Sequence, residues 1–247
     1  MTESIKKKEF ENQRYDSHTD YDNLLRIVNE NSLPTITLTS LVLGILIGIS
    51  TALLPSVSFK QILLYVILLC TFHFLEYYTT AKYSFDKVNT DSFLIFNGFE
   101  YLLAHTIAIT ESLIEIIFFP KFKLGHAYIS IIGFLIVLFG QYLRSMAMVT
   151  AGESFSHIIA QSKKNNHKLI THGIYGFARH PSYAGFFYWA LGTQLLLCNP
   201  LSFVIFYFML HKFFSRRIRY EECKLVEFFG DEYVKYKKTT PTRIPFV

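Results

Sequence analysis

The amino-acid sequence predicts an all-α integral membrane protein of about six transmembrane helices, the last two paired as a hairpin. Three observations lead there. Hydrophobic residues fill 51% of the 247 positions and charged residues only 17%. An average soluble domain is about 25% charged, so much of this surface faces something other than water. The apolar residues are gathered into runs long enough to cross a hydrocarbon core, which takes roughly 20 residues of helix. The basic residues lie outside those runs. With 3 Cys, and with 12 Gly and 7 Pro in no period, a disulfide scaffold, a disordered chain and a collagen-like fibre are excluded.

The first thirty residues are polar throughout and lack the apolar core of a signal peptide, so residues 1–33 read as a cytosolic segment. A first span runs from Ile36 to Leu54, between Pro34 and Pro55. Its Gly44 and Gly48 form a GxxxG, which is either a close-packing face that permits self-association or two chance glycines in an apolar helix. The second span is Ile62 to about Tyr78, with His73 and Glu76 near its end. The third, Phe93 to Phe119, is stopped by Pro120 and interrupted by Asn97, Glu100, His105, Glu111 and Glu115. Ionisable groups at membrane depth are costly and should face protein or a wet cavity. Glu111 and Glu115, one turn apart on one face, either do so or mark a helix end at the interface. The fourth span, Tyr128 to Val149, carries Gln141 and Arg144 toward its cytosolic end. Residues 34–149 thus hold four helices.

After a polar stretch the apolar sequence resumes at Ala184 and runs nearly to Phe214, broken by Gln194 and Asn199-Pro200. Asn-Pro favours a turn, so 184–214 reads as a helical hairpin that enters and returns on one side. With both termini inside, twenty of the 24 basic residues fall on the cytosolic side; Lys60, Lys121 and Lys123 fall outside, and Arg144 lies within a span. The net charge of +5 is therefore an asymmetry across a bilayer rather than a nucleic-acid footprint. Cys70, Cys198 and Cys223, far apart and without a CxxC, suit a reduced cytosolic face.

Two polar segments hold the chemistry. Ala151 to Gly185 contains His157, His167, His172, His180, Tyr175, Tyr183 and Arg179; Arg216 to Lys238 follows the hairpin. No HExxH or zinc spacing supports a metal, no GxSxG a hydrolase, and no GxGxxG or P-loop a nucleotide fold. Arg217 and Glu221 share a helix face, as a solvated ion pair or as a functional one. Arg216, Arg219, Lys235, Lys237 and Lys238 suit anionic headgroups of membrane lipid, and Tyr175, Tyr183 and Trp189 suit an interfacial belt.

One ordered set of motifs resembles a known family. The run His167-x-Leu169-Ile170-x-x-Gly173-x-Tyr175 is followed by Arg179-His180-Pro181-Ser182-Tyr183-x-Gly185. Gln194, Asn199-Pro200, Arg217-x-x-x-Glu221-Glu222, Phe228-Phe229-Gly230-x-x-Tyr233 and Ile244-Pro245-Phe246 come after it. From about Gly140 to the C-terminus this resembles the protein-S-isoprenylcysteine O-methyltransferases, in particular the shorter fungal members. RHPxYxG alone also resembles phospholipid methyltransferases and sterol reductases; the runs on either side make the match specific.

The resemblance implies an endoplasmic reticulum enzyme that methylates the terminal carboxylate of farnesylated or geranylgeranylated CaaX proteins and peptides after their last three residues are removed. It makes 150–247 the catalytic region and implies S-adenosyl-L-methionine in a cytosol-facing pocket. Gln161, His167, Lys168, Leu169, Ile170, Tyr175, His180, Pro181, Ser182, Tyr183 and Glu221 would line that cofactor. Arg217 would contact the substrate carboxylate, with Tyr183 and Glu221 placing the donor. The chemistry fits: a terminal carboxyl has a reference pKa near 3.5, so the nucleophile is already ionised and needs no general base. A phospholipid N-methyltransferase, an NADPH-dependent sterol reductase and a non-enzymatic membrane adaptor stand as alternatives.

Overall fold

A computed structural model describes residues 32–95, 97–163 and 168–247, so the expected segment 1–33 lies almost entirely outside the described residues, as does His167. All regular structure among the described residues is helical. Helix α1 (Leu33–Leu53) starts on Ser32, whose hydroxyl accepts the Thr35 N–H at 3.4 Å. Pro34 sits in the first turn, where a missing N–H is harmless. Its 21 residues rise about 31 Å, enough for a hydrocarbon core. Helix α2 (Lys60–Tyr83) runs past the expected Tyr78, which places His73 and Glu76 inside the helix rather than near its end. Helix α3 (Phe99–Phe118) begins later than expected, because Gly98 at φ +94° breaks the chain. Thr90–Phe93 forms a separate 3-10 turn capped by Asn89, and Asn97 lies in no helix. Pro120 opens a short helix α4 (Pro120–Gly125), and α5 (Ala127–Ala151) follows.

Helices α1, α2, α3 and α5 are long and apolar enough to cross a membrane. Only 11% of the apolar window of α1 and of α3 is buried against protein, compared with 39% for α2 and 33% for α5. Leu38, Ile45, Leu113, Ile117 and Phe118 stand exposed, an apolar surface that only lipid can cover. The chain is an all-α membrane protein.

The C-terminal third comprises the single turn α6 (Ile174–Phe177), α7 (Pro181–Leu197), α8 (Pro200–Phe229) and α9 (Asp231–Thr239). The α7–α8 turn falls at Asn199-Pro200, as expected, with Cys198 at φ +53°. Asn199 donates Nδ2–H to the Ala108 carbonyl at 2.8 Å. The second helix of the hairpin continues past Phe214 to Phe229 and so carries Arg217 and Glu221.

Two of the third span's three glutamates, Glu111 and Glu115, face protein. Glu111 accepts the Leu201 and Ser202 N–H groups at 2.8 and 2.7 Å and the Ser202 hydroxyl, so a carboxylate on α3 caps α8. Glu115 pairs with Lys123 at 2.5 Å. Lys123, expected in an outer loop, is only 1% exposed and also donates to the Leu197 and Cys198 carbonyls and to Asn199 Oδ1.

The closest helix seam joins α5 to α7. A Cβ on Gly133 would lie 2.2 Å from Leu196 N, on Gly140 2.5 Å from Trp189 N, on Gly185 2.6 Å from Arg144 N and on Gly192 2.8 Å from Val137 N. Backbones approach this closely only where side chains are absent. The α1 glycines play no such part, since a Cβ on Gly44 or Gly48 would meet nothing within 4 Å. Trp189 is buried against Phe72, ring centroids 4.5 Å apart, and is a core residue rather than an interfacial one.

Candidate active site

Where the α5–α7 seam ends at Ala151, the chain forms a cavity of about 700 Å³ counted with its open mouth. Ala151, Ser154, Phe155 and Ser156 form one wall, and Lys168, Leu169, Ile170 and Tyr175 a second. Arg179, His180, Pro181, Ser182 and Tyr183 supply the start of α7, Glu221, Leu225 and Phe229 come from α8, and Tyr233 and Tyr236 from α9. Two glycines shape it. Gly173, at φ +58°, passes so close to Thr150 that a Cβ would sit 3.2 Å from its Cγ2. Gly230, at φ +53°, makes the turn that folds α9 back under the site, where Tyr236 donates to the Tyr175 carbonyl at 2.7 Å. The Phe-Phe-Gly-x-x-Tyr run therefore supplies a buried anchor in Phe228, a wall in Phe229, a turn in Gly230 and a second wall in Tyr233. Burial raises the phenol pKa values of Tyr175, Tyr233 and Tyr236, which stay neutral.

Behind the wall residue Ser182, outside the cavity lining itself, a buried ion pair forms a floor to the site. Arg144, 7% exposed, binds Glu76 through both oxygens, Nε to Oε1 at 2.7 Å and Nη2 to Oε2 at 2.8 Å. Its third nitrogen donates to Ser182 Oγ at 2.8 Å, which ties a wall residue to the bundle. His157 stands beside the pair, Nε2 3.8 Å from Glu76 Oε2. Burial, with Arg144 next in effect, pushes its imidazole pKa down to about 4, so it is neutral at pH 7.

A second polar cluster closes the far side. Glu222 accepts from Arg179 Nε at 2.5 Å, Lys237 Nζ at 2.6 Å and His180 Nε2 at 3.2 Å. Burial alone would raise its pKa, but the hydrogen bonds from His180, Lys237 and Arg179 outweigh it and hold the carboxyl well below the usual range. Arg179 also holds the C-terminal strap, its N–H to Pro241 O and Nη1 to Thr240 O, each at 3.0 Å. His180 stacks on Tyr183, rings 3° from parallel, with Nδ1 3.5 Å from Glu221 Oε2. That Glu221 oxygen is buried and accepts no hydrogen bond within the described residues.

Arg217 and Glu221 do share a face of α8 but do not pair with each other. Arg217 donates Nε–H to the Tyr183 hydroxyl at 2.8 Å and Nη2–H to the His157 carbonyl at 2.6 Å, with its guanidinium 5.2 Å from the Tyr183 ring centroid. Its other three N–H donors make no hydrogen bond among the described residues, and Arg217 stands next to the lining residue Tyr183 without itself lining the cavity.

Nine of the eleven expected cofactor residues line the cavity: Lys168, Leu169, Ile170, Tyr175, His180, Pro181, Ser182, Tyr183 and Glu221. Gln161 does not. It accepts from the Tyr220 hydroxyl at 2.7 Å on the rim of an adjoining cavity of about 1,100 Å³ that shares Ser154, Ser156, Glu221 and Leu225 with the first. Lys237, expected at headgroups, points to Glu222 instead. Glu76, Arg144, His157 and Glu222 were not singled out as site residues. Two opposite charges inside apolar runs, Glu76 and Arg144, were the available signal, because each needs a partner at that depth.

The chain is similar to known proteins over most of its length. The isoprenylcysteine carboxyl methyltransferase (ICMT) family matches residues 131–227. Protein-S-isoprenylcysteine O-methyltransferase of Saccharomyces cerevisiae is 51% identical over 225 residues, 89% of this chain and 94% of the yeast protein. The Homo sapiens enzyme of that name is 40% identical over 206 residues, 83% of this chain but 72% of the longer human one. The solved structure of the eukaryotic intramembrane Ras methyltransferase ICMT superposes with a TM-score of 0.84 at 34% identity, covering 86% of this chain and 77% of that one. Since the yeast match spans nearly the whole of both proteins, the chain belongs to the protein-S-isoprenylcysteine O-methyltransferases, the isoprenylcysteine carboxyl methyltransferase family.

Proposed function

We propose that the described cavity is where this methyltransferase brings S-adenosylmethionine together with the C-terminal carboxylate of a prenylcysteine in processed CaaX proteins. The observation that carries the reading is Arg217, held on Tyr183 and the His157 carbonyl with its remaining donors free, beside an aromatic cavity. A guanidinium fork matches a carboxylate with two parallel hydrogen bonds.

The residues present fit the donor. Glu221 Oε2, buried and accepting no hydrogen bond, suits an amine or ribose hydroxyl, and the faces of Tyr175, Tyr183 and Phe229 suit a sulfonium. When bound, S-adenosylmethionine supplies an electrophilic methyl that passes from sulfur to a carboxylate oxygen as the sulfur–carbon bond breaks. The chain's part is to orient and to exclude water. Arg217 fixes the carboxylate, Tyr183 links it to the cavity wall, and Lys168, Leu169, Ile170, His180, Pro181 and Ser182 hold the donor. Holding two reactants in line contributes on the order of several kcal/mol. The acceptor arrives ionised, so no side chain has to take a proton.

The same reading includes six membrane passes, with α7, about 25 Å long, and the first half of α8 as the fifth and sixth. The site then faces the cytosol from the endoplasmic reticulum membrane, supported by the twenty-to-three bias of basic residues. A prenyl chain resides in lipid already, at about 0.8 kcal/mol per buried CH₂, and enters sideways between helices.

Membranes carrying the protein should convert N-acetyl-S-farnesylcysteine and labelled S-adenosylmethionine to a base-labile methyl ester. Arg217→Ala should lower kcat/KM about 10- to 100-fold, as for the loss of a charged hydrogen bond, while donor binding persists. Wild-type activity in that variant removes Arg217 from the carboxylate.

A further inference from the structure

The methylated carboxylate ends a polypeptide, and the rest of that polypeptide has to leave the site toward water. The second cavity borders the first, sharing Ser154, Ser156, Glu221 and Leu225 with it. Its floor is apolar, with Ile158 standing 79% exposed in the loop after α5 and Ile159, Leu225 and Phe228 beside it. Its rim carries Asp86 and Glu153, both exposed and neither ion-paired with a described residue. Lys87 and Lys224 line the same cavity. Lys87 turns its ammonium onto the carbonyls of Glu153 and Phe155, and Lys224 pairs with Glu227 at 2.9 Å.

These loops are held in place. Ser84 Oγ–H donates to the Gly152 carbonyl at 2.6 Å, and the Lys87 contacts tie the 3-10 turn at Phe85–Lys87 to the one at Gly152–Ser154. Two carboxylates are thereby presented together on a chain whose overall charge is +5. Prenylated C-termini commonly carry basic residues just before the modified cysteine. Asp86 and Glu153 beside an apolar floor complement such a segment in charge.

We propose that this groove binds the polypeptide immediately upstream of the prenylcysteine and that Asp86 and Glu153 give it a preference for basic residues. The proposal rests on the assignment of the first cavity to prenylcysteine methylation, and its test separates the two. Three substrates are compared on the full-length protein in membranes: N-acetyl-S-farnesylcysteine, a farnesylated hexapeptide with two lysines before the cysteine, and the same peptide with two glutamates. In the wild type the lysine peptide should have the lowest KM. Asp86→Lys/Glu153→Lys should raise that KM about three- to tenfold, the range for exposed charge pairs, while N-acetyl-S-farnesylcysteine turnover holds. The difference should shrink in high salt. Asp86→Asn/Glu153→Gln, which keeps side-chain shape, should give a smaller rise in the same direction.

Equal KM for the two peptides in the wild type overturns the proposal. So does a change in either variant that appears only in S-adenosylmethionine binding, which would assign the groove to the donor. Equal loss with all three substrates in the conservative variant overturns it as well. Failure of the wild type to methylate any of the three overturns the functional assignment itself.

Discussion

Two arginine–carboxylate clusters bracket the cavity, and they are built differently. On the floor, Arg144 and Glu76 are matched one to one, both oxygens against two nitrogens, with the carboxylate 1% exposed. On the far side, Glu222 is shared by Arg179, His180 and Lys237, the last of them 47% exposed. The floor has no spare partner, so losing either member leaves a charge at membrane depth. The far cluster has redundancy and an outlet to water. Similar residue types thus make a brittle joint inside the bundle and a tolerant one at the tail.

The largest expected effect breaks the brittle joint. Glu76→Gln strands the Arg144 guanidinium and should cost about 3–5 kcal/mol, the penalty for breaking a buried pair. The measurement is thermal unfolding of the solubilised protein. The double variant Glu76→Gln/Arg144→Gln should lose less than Glu76→Gln alone, because no charge remains to be stranded. A double variant as unstable as the single would mean that the pair acts through its shape rather than its charge.

Slightly smaller is the effect of forcing the seam above that pair. Gly185→Ala puts a methyl 2.6 Å from Arg144 N and should cost about 1–3 kcal/mol by overpacking. Gly44→Ala and Gly48→Ala, whose Cβ positions are open, should be silent or slightly stabilising through helix propensity.

That contrast shows where sequence reading succeeds. The membrane helices were legible because a hydrocarbon core demands long apolar runs whatever their partners. The α7–α8 turn was legible because Asn199-Pro200 restricts the local backbone. The α5–α7 seam was not. Its glycines are spaced seven residues apart within each helix, Gly133 and Gly140 facing Gly185 and Gly192, and the signal exists only once two distant segments are known to touch. The GxxxG in α1 was visible because it is local, and it faces outward. The cavity wall was largely readable from motifs that resemble a family, whereas the Glu76–Arg144 floor joins residues 68 apart in sequence.

On the tolerant side the effects should be small. Lys237→Met removes one of three hydrogen-bond donors from Glu222 and should lower stability by less than about 1 kcal/mol, with activity retained. A loss as large as that of Glu76→Gln would show that the far cluster is not redundant.

Acid should separate the two clusters by pH. His157, against the floor pair, has a folded pKa depressed to about 4 from 6.5. A depressed folded value means that the unfolded chain binds the proton first, so the stability due to neutral His157 is present above pH 6.5 and is lost as pH falls toward 4. Protonation there sets a new cation beside Arg144 and Arg217, only partly offset by Glu76. Glu222, held low by its three partners, contributes stability above its ordinary value of 4.5 that is lost only in stronger acid. Melting temperature against pH should therefore show two descending limbs, the floor failing first. His157→Gln keeps a hydrogen-bonding side chain without the titration and should flatten the limb between pH 6.5 and 4 while sparing the lower one. An unchanged upper limb in that variant would place the first acid-sensitive contact elsewhere than the floor.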